Sequence, residues 1–245
     1  MSYKKFAYVY DQLMKDAPYD EWIKFTKEII SKYKINPKII VDLGCGTGSI
    51  AIPLSKEGFQ VIGVDLSTDM LSIAYEKMML NNTSFPLLEQ DMKDFNLNTT
   101  VDLIISYCDS LNYLEGIDAL RQTFVQVYKH LKSDGYFIFD MHSPHKITNV
   151  FNQTFAWNEE DISVIWLTDV DEVQLSVEHD LTLFVANLDG AYEKIHEVHQ
   201  QRTYSVDTVV KLLEEVGFKP LDVFGDFSLG PVTEDTERIF YVARK

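Results

Sequence analysis

An acid followed by three alternating glycines gives the chain its clearest ligand-binding pattern. Asp42 stands two residues before Gly44, and Gly46 and Gly48 follow at the same spacing. Glycine lets the chain turn tightly and lets the backbone approach a ligand more closely than a Cβ atom would allow. The apolar run 39–43 before these glycines is typical of a strand buried on both faces of a parallel sheet. The pattern therefore predicts a ligand-binding loop where a buried strand ends.

A second apolar run, 61–64, ends in Asp65, 17 residues after Gly48. A carboxylate at the end of the neighbouring strand can accept hydrogen bonds from both hydroxyls of a ribose. We therefore predict a nucleoside across the ends of two adjacent parallel strands. A dinucleotide is disfavoured because its pyrophosphate prefers Gly-x-Gly-x-x-Gly, whereas the spacing here is Gly-x-Gly-x-Gly and an acid precedes it. The alternative is a glycine turn between a core strand and a helix, with both acids there by chance.

The run Val-Asp-Leu-Gly-Cys-Gly-Thr-Gly, with the helix predicted after it and with Asp65, resembles motif I of the class I S-adenosylmethionine-dependent methyltransferases. The resemblance covers residues 35–145 and 204–245, with a weaker match over 1–22. It implies a doubly wound α/β fold with a seven-stranded, mostly parallel sheet, S-adenosylmethionine as the cofactor, and transfer of its methyl group to a nitrogen or oxygen nucleophile of a small molecule. The acid before the glycines suits a ligand that carries an ammonium and a sulfonium.

The resemblance also implies cofactor contacts outside the glycine loop. Asp91 would accept a hydrogen bond from the adenine amino group, and Met92 would lie on the ring. Tyr10 belongs to an N-terminal segment that folds over the cofactor in such families. A plain acidic loop at 89–92 and a helix that only packs on the sheet at 1–19 are the alternatives. The expected cofactor residues are Tyr10, Asp42, Gly44, Cys45, Gly46, Asp65, Leu66, Met70, Asp91, Met92, Tyr107 and Asp109.

The acceptor side is predicted after the fourth and fifth strands, 101–106 and 136–140. The run 109–114 resembles one common in small-molecule methyltransferases, in which Asp109 would hold the ligand ammonium or a substrate amine. A base is needed only if the nucleophile arrives protonated, and the groups to test are Asp109, His142 and His199. His145 is also well placed to meet a substrate. Candidates for substrate recognition are Asn112, His142, His199, Arg202 and Tyr204, although helix capping competes for Asn112 and an edge strand blunted by charge competes for the last three.

The alternation of strands and helices breaks over residues 151–204. Strands are predicted at 164–167, at 173–177 with a continuation or a new strand at 181–185, and at 192–204, with a hairpin turn over Asn187–Gly190. Residues 1–150 and 205–245 would form the cofactor-binding domain. The small antiparallel sheet inserted between them would roof the substrate pocket or join two copies of the chain in a homodimer.

Composition limits the partners. The chain has 245 residues and a net charge of −16, from 22 basic and 38 acidic residues, which disfavours nucleic acid and anionic membranes. Cys45 and Cys108 show no metal or disulfide spacing, and the N-terminus lacks the apolar core of a signal peptide, so we expect a cytoplasmic protein without a metal. A non-catalytic S-adenosylmethionine-binding protein that regulates or assembles a partner is the alternative to an enzyme.

Overall fold

The structure of the protein, a computed structural model, describes residues 2–187 and 190–245. The helices are α1 (Ser2–Leu13), α2 (Tyr19–Lys32), α3 (Ala51–Lys56), α4 (Thr68–Leu80), α5 (Ile117–His130) and α6 (Val206–Val216). The strands are β1 (Ile39–Leu43), β2 (Gln60–Asp65), β3 (Leu87–Glu89), β4 (Val101–Ser106), β5 (Leu131–His142), β6 (Phe155–Asn158), β7 (Ile162–Asp171), β8 (Ser176–Ala186), β9 (Tyr192–Arg202), β10 (Lys219–Gly225) and β11 (Arg238–Arg244). No helix among these residues is long and apolar enough to cross a membrane.

The main sheet has seven strands in the order β10-β11-β5-β4-β1-β2-β3. Neighbouring strands from β5 to β3 pair in parallel, and β11 pairs antiparallel with both β5 and β10. The carboxyl ends of β1, β2, β4 and β5 therefore meet at one edge, which we call the carboxyl edge. This arrangement confirms the predicted doubly wound α/β fold.

Helices cover both faces of this sheet. One core cluster joins α5 and α6 to the sheet, with Phe124, Phe137 and Leu213 fully buried or nearly so. The other joins α2 and α3, through Phe25 and Leu54. Because helices cover both faces, the central strands consist of continuous apolar residues. Such runs can be recognised in the sequence, so the positions of these strands could be predicted.

The second sheet is antiparallel, in the order β6-β7-β8-β9, and lies between β5 and α6 in the sequence. A short π-helical turn, Lys146–Val150, leads into it. Its inner face shares a small core with α1, in which Val9 packs with Val164, Leu183 and Ile195. The predicted antiparallel insertion is thus confirmed, and α1 lies against it.

Three local predictions are wrong. The sequence predicts that Asp20 caps a helix through Tyr33, but Pro18 is the cap residue of α2 and Asp20 lies in its first turn, where the helix dipole favours an acid. Residues 173–175 of the strand predicted at 173–177 form a turn instead, because Asp171 Oδ1 accepts the Val173 and Gln174 backbone N–H groups at 3.0 and 2.9 Å, and β8 begins only at Ser176. The run Lys-Ser-Asp-Gly at 132–135 predicts a turn into the fifth strand, but these residues lie within β5, where the pairing with β4 is irregular.

Other boundaries differ by a few residues, and β6 was not predicted. The predicted hairpin turn contains residues 188 and 189, which lie outside the described residues. The strands on either side of it do pair, with Ala186 opposite Tyr192.

The irregular start of β5 depends on Gly135. A Cβ on this residue would lie 2.9 Å from the Lys132 carbonyl oxygen and 3.2 Å from Leu131 Cβ. We expect Gly135→Ala to lower the free energy of unfolding by about 1–3 kcal/mol. At Gly116 a Cβ would meet a single atom, Arg202 Nη1 at 3.8 Å, so Gly116→Ala is the matched control. Urea unfolding of both variants measures the difference, and equal losses would contradict this account.

Candidate functional site

The glycine loop after β1 is fixed by the end of β2. The backbone N–H groups of Gly44 and Cys45 donate to the Val64 carbonyl at 2.7 and 3.0 Å, and the Gly46 N–H donates to Asp65 Oδ2 at 2.8 Å. Gly44 has φ +82°, and a Cβ there would lie 2.7 Å from Ser110 Cβ, so this position requires glycine. At Gly46, with φ +52°, a Cβ would meet nothing within 4 Å. The loop thus borders open space that its own backbone can face.

Two buried acids lie beside this loop. The Asp42 side chain is buried, and its Oδ2 has no hydrogen-bond partner among the described residues. Burial and the nearby Asp65 raise the pKa of Asp42 to about 7. Burial also raises the pKa of Asp65, although backbone N–H groups of Ser67 and Gly46 lower it. A buried acid with one oxygen unpartnered among the described residues, next to a second acid, favours a cationic ligand, and S-adenosylmethionine carries a positive charge.

Helix α1 is fastened across the glycine loop by a polar cluster. Asp11 accepts hydrogen bonds from Thr47 Oγ1 at 2.6 Å and from Lys77 Nζ at 2.8 Å. Lys77, on α4, also donates to Thr47 and Ser49, both at 3.1 Å. These contacts hold α1 against the site from above the loop. Tyr10, the residue before Asp11, packs with the core that α1 shares with the second sheet.

Asp109 follows β4, at the part of the carboxyl edge where the sequence predicts the methyl acceptor; we call this part the acceptor side. It has φ +54° and follows another left-handed residue, Cys108, so the backbone turns sharply to place this side chain. Asp109 Oδ1 accepts a hydrogen bond from Arg238 Nη2 at 3.1 Å, and Oδ2 accepts one from Gln201 Nε2 at 2.7 Å. About a fifth of the side chain, 21%, is exposed, so a ligand can still reach it.

The Asp109 carboxyl is ionised because of its neighbours. Burial alone would raise its pKa, but the hydrogen bond from His142 and the positive charges of Arg238 and Lys146 hold the pKa well below its usual range. The nearest His142 nitrogen, Nε2, is 3.4 Å from Asp109 Oδ2. Burial raises the pKa of the Tyr10 hydroxyl, and the nearby Asp109 charge adds to that rise. Tyr10 therefore remains a neutral phenol close to a fixed anion.

A second buried acid, Asp140, balances Arg238. Arg238 Nη1 donates to Asp140 Oδ2 at 2.5 Å, and Asp140 Oδ1 accepts the Asp109 backbone N–H at 3.1 Å. Trp22 Nε1 also donates to Asp140, at 2.8 Å, and its ring lies 4.9 Å below the guanidinium. A cavity of about 400 Å³ opens beyond Arg238, with Lys146 and Phe227 in its wall. Arg238 and Trp22 line this cavity, whereas Asp109 does not.

The remaining predicted cofactor residues lie at different depths. Met92 borders the glycine loop, with Cε 3.6 Å from the place a Gly44 Cβ would occupy, and Asp91 forms a turn with the Lys93 backbone N–H at 2.9 Å. Leu66 is 67% exposed after Asp65. Met70, on α4, packs against the core shared by α1 and the second sheet.

Cys45 and Tyr107 present backbone rather than side chains to the edge. A Cβ on Gly63 would lie 2.9 Å from Cys45 Sγ, so this thiol packs against β2. Tyr107 is buried in the core, where its hydroxyl lies 2.8 Å from Thr26 Oγ1 on α2. That Cys45 and Tyr107 contact the cofactor stays a prediction, and the contacts would be made by their main-chain atoms.

The structure separates the predicted acceptor residues into two groups. His142 lies next to Asp109, and His199 lies on the inner face of the second sheet, opposite His179 in the strand pairing. Asn112 links the ends of β9 and β5. Its Nδ2 donates to the Arg202 carbonyl at 2.7 Å, and its Oδ1 accepts a hydrogen bond from the His142 backbone N–H at 3.0 Å.

The second group lies apart from Asp109. The Arg202 guanidinium is beside Gly116, before α5, and Tyr204 packs with the core of α5 and α6. His145 precedes the π-helical turn. For these three residues a role in substrate recognition stays a prediction.

Sequence reasoning missed several residues that shape the site. They are Asp11, Trp22, Lys77, Asp140, Lys146, His179, Gln201 and Arg238. For Gln201 a signal was available. Side chains alternate along a strand, so a residue two positions from His199 shares its face, whereas Arg202 and Tyr204 do not.

The raised pKa of Asp42 predicts how stability depends on pH. Between the unfolded pKa near 3.8 and the folded pKa near 7, the native state binds more protons than the unfolded state, so stability falls as pH rises through this window. The Asp42→Asn variant lacks this titrating group, so its free energy of unfolding should not fall in this way. We expect the free energy of unfolding of the variant, relative to the wild type, to rise by about 1–3 kcal/mol from pH 5 to pH 8. Urea unfolding at both pH values measures it. Asp118→Asn, at an exposed acid on α5, is the control, and an equal gain there would contradict the prediction.

Comparisons with known proteins identify methyltransferases as relatives of this chain. A family model described as a methyltransferase domain matches residues 40–135. A protein of Geobacillus sp. (strain WCH70), named as a putative methyltransferase, is 42% identical over 247 residues and spans 100% of both chains. A glycine/sarcosine N-methyltransferase of Aphanothece halophytica is 26% identical over 85% of this chain and 76% of its own.

Solved structures share the whole architecture. The crystal structure of an S-adenosylmethionine-dependent methyltransferase from Clostridium acetobutylicum ATCC 824 is 31% identical, covers 100% of this chain and 99% of its own, and has a TM-score of 0.90. CalS10 of Micromonospora echinaspora, an amino pentose methyltransferase with S-adenosylmethionine bound, shares the fold at 18% identity, with a TM-score of 0.77 over 96% of each chain. Together with the full-length Geobacillus relative, these findings confirm the resemblance seen in the glycine loop: the chain belongs to the S-adenosylmethionine-dependent methyltransferases.

Proposed function

We propose that the protein methylates the nitrogen of an amine on a small molecule that binds beside Asp109. The observation that carries this proposal is the ionised Asp109 carboxylate, held on the protein side by Arg238 and Gln201 and exposed on the other. A neutral amine donates hydrogen bonds to such an anion and keeps its lone pair for the methyl group, and the methylated ammonium that forms gains charge attraction from the anion. An oxygen nucleophile is the less favoured acceptor, because it must lose a proton to a base and the low pKa of Asp109 makes this group a weak base.

A small acceptor is favoured because two elements of the protein, α1 and the second sheet, cover the site. Helix α1 is tied across the glycine loop through Asp11, and the second sheet supplies Gln201 to the acceptor side. A polymer would need an open groove here, whereas a small molecule can be surrounded. The Aphanothece relative and CalS10, whose names indicate amino-group or aminosugar substrates, support the same class.

The cofactor fits the glycine loop. The open space over Gly46 and the Asp65 carboxyl would hold its nucleoside, and Asp42, whose Oδ2 has no partner among the described residues, would face its positive charge. When bound, S-adenosylmethionine supplies a methyl group already activated by its sulfonium. The protein then has to orient the acceptor nitrogen and exclude water, and Asp109, Tyr10 and the covering elements would do this.

A matched panel of acceptors tests the proposal. We would incubate the protein with methyl-labelled S-adenosylmethionine and with amines paired with alcohols of the same shape, and measure S-adenosylhomocysteine and labelled product by mass spectrometry. We expect faster methylation of the amine in each pair. Preference for the alcohols would contradict the choice of nitrogen. Cofactor binding without S-adenosylhomocysteine from any compound would favour the non-catalytic alternative.

The open space over the loop predicts a variant that loses the cofactor and keeps the fold. Gly46→Ala places a methyl group where the ligand would lie, and we expect at least about tenfold weaker binding of S-adenosylhomocysteine by calorimetry. The control is Gly58→Ala, where φ is +97° and a Cβ also meets nothing within 4 Å. Both variants carry the cost of a left-handed alanine, about 1 kcal/mol. Equal loss of binding would remove Gly46 from the site.

The proposed role of Asp109 predicts different effects on turnover of the amine and on cofactor affinity. Asp109→Asn removes the charge that attracts the acceptor, so we expect kcat/KM for the amine to fall about 10–100-fold. Affinity for S-adenosylhomocysteine should change much less. Asp180→Asn, at an exposed acid paired with His196 on the second sheet, is the control. A fall in cofactor affinity with unchanged acceptor KM would instead assign Asp109 to the cofactor ammonium.

A further inference from the structure

A directional chain of hydrogen bonds runs from the second sheet to Asp109. It begins at Trp166 Nε1, which donates to His179 Nδ1 at 3.0 Å. An indole nitrogen can only donate, so His179 Nδ1 must be the acceptor and the proton of this ring must lie on Nε2. Burial lowers the pKa of His179 to about 4, which agrees with a neutral ring.

The next link fixes the Gln201 amide. His179 Nε2 lies 3.1 Å from Gln201 Oε1, which accepts its proton. The amide nitrogen of Gln201 is then turned to Asp109 Oδ2, 2.7 Å away, where it donates to the carboxylate. Gln201 is 4% exposed, so the orientation of its amide is set by protein contacts.

The Gln201 amide also determines which ring nitrogen of His142 carries the proton. His142 Nε2 lies 3.2 Å from Gln201 Oε1 and 3.4 Å from Asp109 Oδ2, and both of these atoms are acceptors. The nitrogen between them must therefore carry a proton. His142 Nδ1 is buried without a hydrogen-bond partner among the described residues, which agrees with a neutral ring whose lone pair is on Nδ1. Phe151 packs edge-on against the rings of both histidines and separates them from solvent.

We propose that Gln201 is the positioning residue of the methyl-acceptor site. It holds one oxygen of Asp109 and fixes the tautomer of His142, and it receives its own orientation from Trp166 through His179. This inference rests on the proposed function and adds that the inserted sheet completes the acceptor site. Gln201 acts through Asp109 and His142, so its loss should disturb the acceptor step more than cofactor binding.

The chain offers a matched control one residue away. Gln200 lies on the opposite face of β9, where its Nε2 donates to Glu178 Oε2 at 2.9 Å in an exposed pair. Gln201→Leu and Gln200→Leu are the same substitution on the two faces of one strand. Trp166→Phe is a further variant that keeps a ring in place and removes the single donor at the start of the chain.

Nitrogen NMR of the protein labelled with ¹⁵N-histidine reads the tautomers directly and needs no turnover. In the wild type we expect His142 and His179 to be neutral with the proton on Nε2. Gln201→Leu should shift the His142 signals, Trp166→Phe should shift those of His179, and Gln200→Leu should shift neither. A His142 proton on Nδ1 in the wild type, or His142 signals unchanged in Gln201→Leu, would overturn the proposal.

Kinetics with an amine acceptor provide the second readout. We expect Gln201→Leu to lower kcat by about tenfold or more while the dissociation constant of S-adenosylhomocysteine stays within about threefold. Gln200→Leu should match the wild type in both. Equal kinetics of the two variants would also overturn the proposal. If the wild type methylates no acceptor, the proposed function fails, and the NMR result alone decides whether Gln201 orients Asp109 and His142.

Discussion

The guanidinium of Arg238 lies between two carboxylates, and the acceptor side of the carboxyl edge depends on it. Asp140 is fully buried and Asp109 is largely so, and Arg238 donates to both. Removing the cation would leave two buried acids facing each other, which is among the most costly changes to a protein interior. Trp22 closes the cluster by donating to Asp140 under the guanidinium. Asp109 can therefore stay ionised in a site with little solvent.

The direction of the last strand brings Arg238 to this place. In the main sheet, β11 runs against its neighbours, so its first residue lies where β5 ends: Arg238 pairs with His142. A parallel strand would have put that residue at the far edge. The cofactor side and the acceptor side are thus built in different ways. The first uses loops that follow adjacent parallel strands, and the second uses the start of a reversed strand and a side chain from an inserted sheet.

This difference explains what the sequence could predict. The glycine loop and Asp65 end two strands that follow each other in the chain, so local pattern was enough to place them together. Arg238 carries no local signal, because its position follows from strand order and direction. Gln201 could have been chosen by its two-residue spacing from His199, which places both on one face. The alternating pattern at 173–177 misled over residues 173–175, because the Asp171 side chain accepts hydrogen bonds from the backbone there and β8 begins only at Ser176.

A crystal structure of the protein soaked with S-adenosylmethionine tests the central claim most directly. The account predicts the ribose at Asp65, the charged end of the ligand near Asp42, and the methyl group facing Asp109 and Tyr10. A ligand bound elsewhere, or one whose methyl group points away from Asp109 towards the core, would contradict it.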